Sequence, residues 1–157
     1  MIEILSKQES EKILNKLNSQ FGIKEIPGIL LRIGKERIFL FQGELEVREI
    51  KQIEKITFIE RTGIYIGKIF EPTGEMRLSI EGTQIFKKQI SKNILELNDS
   101  QAEQWMQGEE IPLSTDYREI IIIKYQDDFL GCGKASENKI GNFVPKNRRL
   151  KSRSIIK

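Results

Sequence analysis

The spacing of apolar residues changes character along the chain, and each change marks an element. From Lys7 to Ser19, Ile13, Leu14 and Leu17 share one helical face, continued by Phe21, with Lys and Glu side chains opposite. Ser6 and Glu9 have capping-box spacing, and Gly22 is placed to stop this helix. Two short apolar runs follow, Ile29 to Ile33 and Arg37 to Phe41, bounded by the turn signals Pro27-Gly28 and Gly34-Lys35. They predict a β-hairpin. Val47, Ile50 and Ile53 return to helical spacing and predict a second helix over Glu46 to Lys55.

The period then falls to two. "TFIERTGIYIGKIFE" and "EMRLSIEG" read as strands about the turn Pro72-Thr73-Gly74. Alternation ends between Gly82 and Lys88, the expected boundary between an N-terminal part (1–85) and a C-terminal part (86–157). Beyond it "KNILELND" predicts a strand. Ser100 and Glu103 repeat the capping-box spacing ahead of a short helix that buries Ala102, Trp105 and Met106. Gly108 fits the left-handed position after that helix. "EIIIIKY" and "FLGCGKAS" predict strands about a "QDD" turn, and the two glycines permit a bulge or a close backbone approach.

Charge alters this picture more than composition does. The chain of 157 residues has a net charge of +3, which hides a strong asymmetry. From Asn138 onward there are seven basic residues and no acidic one, leaving 19 basic and 23 acidic residues, net −4, in the preceding 137 positions. Segregation of this kind points to a partner carrying phosphates. Phe143-Val144-Pro145 precedes the cluster and should anchor it, while Leu150 should help hold Arg148 and Arg149 in place. An anchored guanidinium loses less entropy on binding than one on a free tail. Lys134 and Lys139 lie nearby in sequence, and Gly141 and Asn142 offer backbone donors.

Catalytic chemistry finds little support. The chain has no histidine, which removes the commonest general base, the usual triads and most transition-metal sites. Cys132, the single cysteine, reads as a small packed residue, and the absence of an internal disulfide suits a reducing cytoplasm. Asp127-Asp128 reads as a solvated turn. No dinucleotide or P-loop motif is present, so no cofactor is expected. "MIEILSKQESEK" lacks the layout of a secretion signal, and the apolar runs fall short of the roughly 18 residues a membrane span needs.

The order strand, short helix closed by Gly108, two strands with "LGCGKAS", then "FVPKNRRL" resembles the PUA family of small β-barrel domains. "RTGIYIGKI" and "MRLSIEG" are similar to the pre-PUA domain that accompanies it in some Sun-family RNA cytosine-5 methyltransferases and in a small stand-alone ribosome-biogenesis factor. The resemblance implies an α+β chain: a mixed α/β pre-PUA domain followed by a PUA-like pseudobarrel. It also implies structured RNA, rRNA or tRNA, as partner, held by the short helix, the loop after Gly108 and a basic strand.

The expected RNA-binding residues are therefore Lys134, Lys139, Lys146, Arg148, Arg149, Lys151 and Gly108, with the weight on the C-terminal edge. Glu109 and Glu110 would repel phosphate at the loop. There is no room for a methyltransferase catalytic domain. The expectation is a cytoplasmic, non-catalytic RNA-binding protein, alone or beside a separate RNA-modifying enzyme or ribosome-assembly protein. The alternative is a protein–protein adaptor subunit in such a complex.

Overall fold

The computed structural model describes residues 2–56, 63–70 and 72–151. The start of the first expected period-two run (57–62), Glu71 and the last six residues lie outside these. The first helix, α1 (Lys7–Phe21), begins as expected: Ser6 Oγ accepts from the Glu9 amide at 3.2 Å, and the Glu9 carboxylate accepts from the Ser6 amide at 2.9 Å. The Ser6 amide also holds the Glu9 carboxyl below its ordinary pKa. Gly22 closes the helix, and Ile13, Leu17 and Phe21 are buried on its inner face.

Five strands form an antiparallel first sheet in chain order: β1 (Ile2–Ile4), β2 (Ile29–Ile33), β3 (Arg37–Phe41), β4 (Ile64–Phe70) and β5 (Glu75–Leu78). The expected hairpin is β2–β3, and α2 (Val47–Ile56) connects β3 to β4. β4 contains a bulge. Phe39 pairs with Tyr65, Ile38 with Gly67 and Arg37 with Lys68, so three residues of β3 face four of β4. The extra residue, Ile66, is fully buried. Gly67 is required there, because a Cβ would collide with the Arg77 backbone carbonyl.

Two details differ from expectation, both through capping chemistry. "EMRLSIEG" is not one strand: β5 stops at Leu78, and Ser79 caps a short helix, α3 (Ile80–Ile85), accepting from the Gly82 amide at 2.9 Å. The serine hydroxyl offers the backbone an alternative to the ladder. The next helix, α4 (Asp99–Met106), is capped by Asn98 with Gln101, two residues before the expected Ser100–Glu103 pair.

The second sheet has the order β6 (Ile94–Glu96), β7 (Ile120–Tyr125), β8 (Asp128–Ala135), β9 (Ile140–Asn142). β6 runs parallel to β7, with α4 in the connection, and the other pairs are antiparallel. Ile120 and Ile122 face a core shared with α1 and the first sheet, while Ile121 and Ile123 face a smaller core beneath Trp105 of α4. A strand covered on both sides has no reason to alternate, which accounts for four consecutive isoleucines. Among the described residues both sheets are open, and the class is α+β.

Candidate nucleic-acid interface

The chain beyond β9 is tied to the second sheet by one side chain. Asn142 Nδ2 donates to the carbonyls of Trp105 at 2.8 Å and Glu109 at 2.9 Å, and its Oδ1 accepts from the Val144 amide at 2.7 Å. These bonds fasten the end of α4, the loop after it and the outgoing strand to one another. The sequence marked Asn142 only as a backbone donor; its amide is the connecting group. Val144 is buried, and the Phe143 ring lies 5.9 Å from that of Phe70 with the Arg77 guanidinium 4.3 Å above it.

Pro145 opens a 3₁₀ turn over Lys146–Arg148, and the Leu150 amide donates to the Met106 carbonyl at 2.8 Å. Each neutral hydrogen bond of this kind contributes about 1 kcal/mol net. Residues 141–151 are thus anchored over most of their length, as Phe143 and Pro145 suggested; at Leu150 the tie is the backbone amide, not the side-chain packing expected of it. Arg153 and Lys157 lie outside the described residues.

The expected cations occupy distinct settings. Arg149 Nε donates to the Val144 carbonyl at 3.1 Å, and its guanidinium lies so close to Gly108 that a Cβ there would overlap it. Gly108 has φ +86°, so it both ends α4 and admits the arginine. Arg148 is ion-paired with Glu81 at the start of α3. Lys139 Nζ is 2.8 Å from Glu110, the carboxylate of the loop expected to repel phosphate. Lys134 is directed toward the first sheet, donating to the Arg118 carbonyl at 2.8 Å and standing 3.8 Å from Glu75. Lys146 and Lys151 are exposed, and neither has an ion-pair partner among the described residues.

Gly108, Arg149 and the 146–148 turn therefore come together at the end of α4, with Lys139 across the loop. Lys134 instead engages the Arg118 carbonyl and Glu75 through its ammonium. No sequence signal revealed that Glu81, more than sixty residues upstream, would meet Arg148.

The remaining candidate chemistry is muted. Cys132 is buried, and burial pushes its thiol up to about 12, so it is protonated and inert at neutral pH. Asp127 and Asp128 are exposed where β7 turns into β8, with Asp128 3.3 Å from Lys87. Among the described residues no group of His, Cys, Asp and Glu is arranged to hold a metal ion.

The second sheet, α4 and the anchored segment coincide with a known family. Residues 92–150 match the family model described as the methyltransferase RsmF PUA domain. This stretch is similar to PUA-family domains. Similarity also reaches beyond it. Ribosomal RNA small subunit methyltransferase F of Aeromonas hydrophila subsp. hydrophila is 27% identical over 143 residues, covering 90% of this chain and 28% of that protein. The protein of the same name from Psychromonas ingrahamii is 28% identical over 148 residues, covering 90% of this chain and 29% of that protein. The chain thus spans less than a third of the length of these curated relatives.

Proposed function

We propose that this chain is a non-catalytic RNA-binding protein acting on structured rRNA or tRNA in the cytoplasm, in ribosome biogenesis or RNA modification. In this reading residues 1–85 are a pre-PUA-like α/β domain and residues 86–157 a PUA-like pseudobarrel that carries the RNA surface. The observation that carries it is the coincidence of the PUA-family match with the pinned basic segment: Arg149 against Gly108, beside Lys146, Arg148 and Lys151. The similarity to proteins named for ribosomal RNA methylation supports RNA as the partner class. A-form RNA is recognised mainly through shape, phosphate and 2′-hydroxyl, which suits cations fixed on a folded edge.

Binding of a fluorescent RNA hairpin should depend on salt, with a log–log slope near −3 if about four phosphates are contacted. Replacing Lys146, Arg149 and Lys151 with Gln should flatten that slope by about two. An unchanged slope, in variants whose melting shows them folded, would remove this assignment.

The adaptor reading is favoured by a different observation. Leu45, Val47, Ile53 and Ile56 expose apolar surface on and just before α2, with Ile56 86% exposed, and Ile64 is exposed at the start of β4. Partners retained on the purified protein after nuclease treatment, and lost on Ile53→Ser/Ile56→Ser substitution, would support it.

A further inference from the structure

A second concentration of positive charge lies on the first sheet, and strand register builds it. Arg37 of β3 pairs laterally with Lys68 of β4, and Lys68 with Arg77 of β5. Neighbouring strands are about 4.8 Å apart, so three cations stand in a row across three strands. The bulge at Ile66 brings Tyr65 to the same face. In a regular strand, residues three apart would point to opposite faces, yet Tyr65 and Lys68 line one depression here.

That depression, of about 380 Å³, is lined by Lys35, Arg37, Lys68 and Arg77, with Glu36 the single carboxylate among its described lining. Glu36 is 3.0 Å from Lys68. Arg37 and Arg77 have no carboxylate partner among the described residues; Arg77 lies over the Phe143 ring instead. Like charges set opposite one another across a sheet are unfavourable unless something neutralises them.

A second recess, of about 330 Å³, adjoins the row and is lined among the described residues by Arg37, Phe39, Gly63 and Tyr65. Its two rings are 5.4 Å apart at 52°. Burial raises the Tyr65 phenol above its ordinary pKa, with Arg77 acting against that shift.

We infer that this face binds a single-stranded stretch of RNA, with phosphates along Arg37, Lys68 and Arg77 and a base in the recess against Tyr65 and Phe39. Cations beside an aromatic recess match a planar base joined to a phosphate, whereas a lipid headgroup or acidic peptide would leave the recess without a role. The inference rests on the RNA reading above and extends it. Arg77 sits on Phe143, which leads through Pro145 into Lys146, so the row meets the C-terminal segment and lengthens its track.

The test uses a fluorescent uridine dodecamer, followed by anisotropy over a salt series, with melting curves to establish folding. Arg37→Gln/Lys68→Gln should flatten the log–log slope by about 1.4, at roughly 0.7 for each phosphate on a single strand. Tyr65→Leu should weaken binding about tenfold with the slope unchanged, while Tyr65→Phe binds like the parent. Inorganic polyphosphate, which has no bases, should bind Tyr65→Leu and the parent equally.

A parental slope in the Arg37/Lys68 variant overturns the inference, as does parental dodecamer affinity in Tyr65→Leu. Arg37 is exposed, so the charge variant decides the matter even if Tyr65→Leu fails to fold. Loss confined to a Lys146→Gln/Lys151→Gln variant defeats this inference and leaves the C-terminal reading standing. Loss confined to the Arg37/Lys68 variant does the reverse.

Discussion

The chain gathers positive charge in two ways, and they yield different surfaces. At the C-terminal edge the cations are neighbours in sequence, but much of their charge is already answered. Lys139 meets Glu110, Arg148 meets Glu81, and Lys134 lies toward Glu75. On the first sheet Arg37, Lys68 and Arg77 are far apart in sequence and adjacent in space, and of the three only Lys68 has a carboxylate partner among the described residues. A run of Lys and Arg creates a field only as strong as its counter-charges allow. The richer sequence cluster is therefore not automatically the stronger attractor.

The two surfaces also rest on different supports, and removing Trp105 should expose that difference most forcefully. Trp105 is fully buried, its indole N–H donates to the Leu130 carbonyl at 3.1 Å, and its own carbonyl accepts from Asn142. Trp105→Ala should cost about 3–5 kcal/mol in urea denaturation, among the largest effects of any single truncation. In the fraction that stays folded, trypsin should cleave at Lys146 to Arg149 before it attacks β3 to β5. Simultaneous cleavage of both regions would show that the C-terminal edge does not depend on this side chain.

Much of the scaffold was legible because its signals are local. α1 followed from the Ser6–Glu9 spacing and the face formed by Ile13, Leu17 and Phe21, and the β2–β3 hairpin from its flanking turns. The anchoring of the C-terminal segment followed from Phe143, whereas the Leu150 tie is a main-chain bond that no side-chain pattern announces. What escaped notice depends on contacts across the fold. α3 was hidden because Ser79 can end a strand and begin a helix, and alternation alone does not say which. β1 and β9 have three residues each, too few to show a period. The cationic row could not be read at all, since one inserted residue in β4 decides which side chains share a face.

Cys132 offers a probe of the seam between the regions. It belongs to the shared core beside Leu78 of β5, and burial pushes its thiol from 9.0 up to about 12. The folded state therefore retains a proton that the unfolded chain releases above pH 9. This contribution to stability is complete below pH 9 and is lost as pH rises through about 12. Cys132→Ala should accordingly lose stability less steeply over that window in urea titrations. At pH 8 a thiol reagent should label the native protein only as fast as the seam opens, and labelling at the rate of the unfolded chain would mean that the two regions separate freely.

The smallest expected effect bears most directly on the contrast in charge. Glu81→Gln releases Arg148 from its partner without changing the volume of the side chain that faced it. An exposed ion pair contributes about 0–1 kcal/mol, so stability should barely move. If the C-terminal edge touches phosphate, the released guanidinium should tighten RNA binding by about two- to threefold at low salt, and the gain should vanish at high salt as screening sets in. Glu36→Gln applies the same logic to Lys68 on the first sheet. A gain from Glu36→Gln alone would place the RNA on the row; a gain from Glu81→Gln alone would place it at the C-terminal edge. Gains from both that multiply within a single binding transition of the double variant would mean that one strand of RNA spans the two. Two transitions, each shifted only by its own substitution, would mean independent sites.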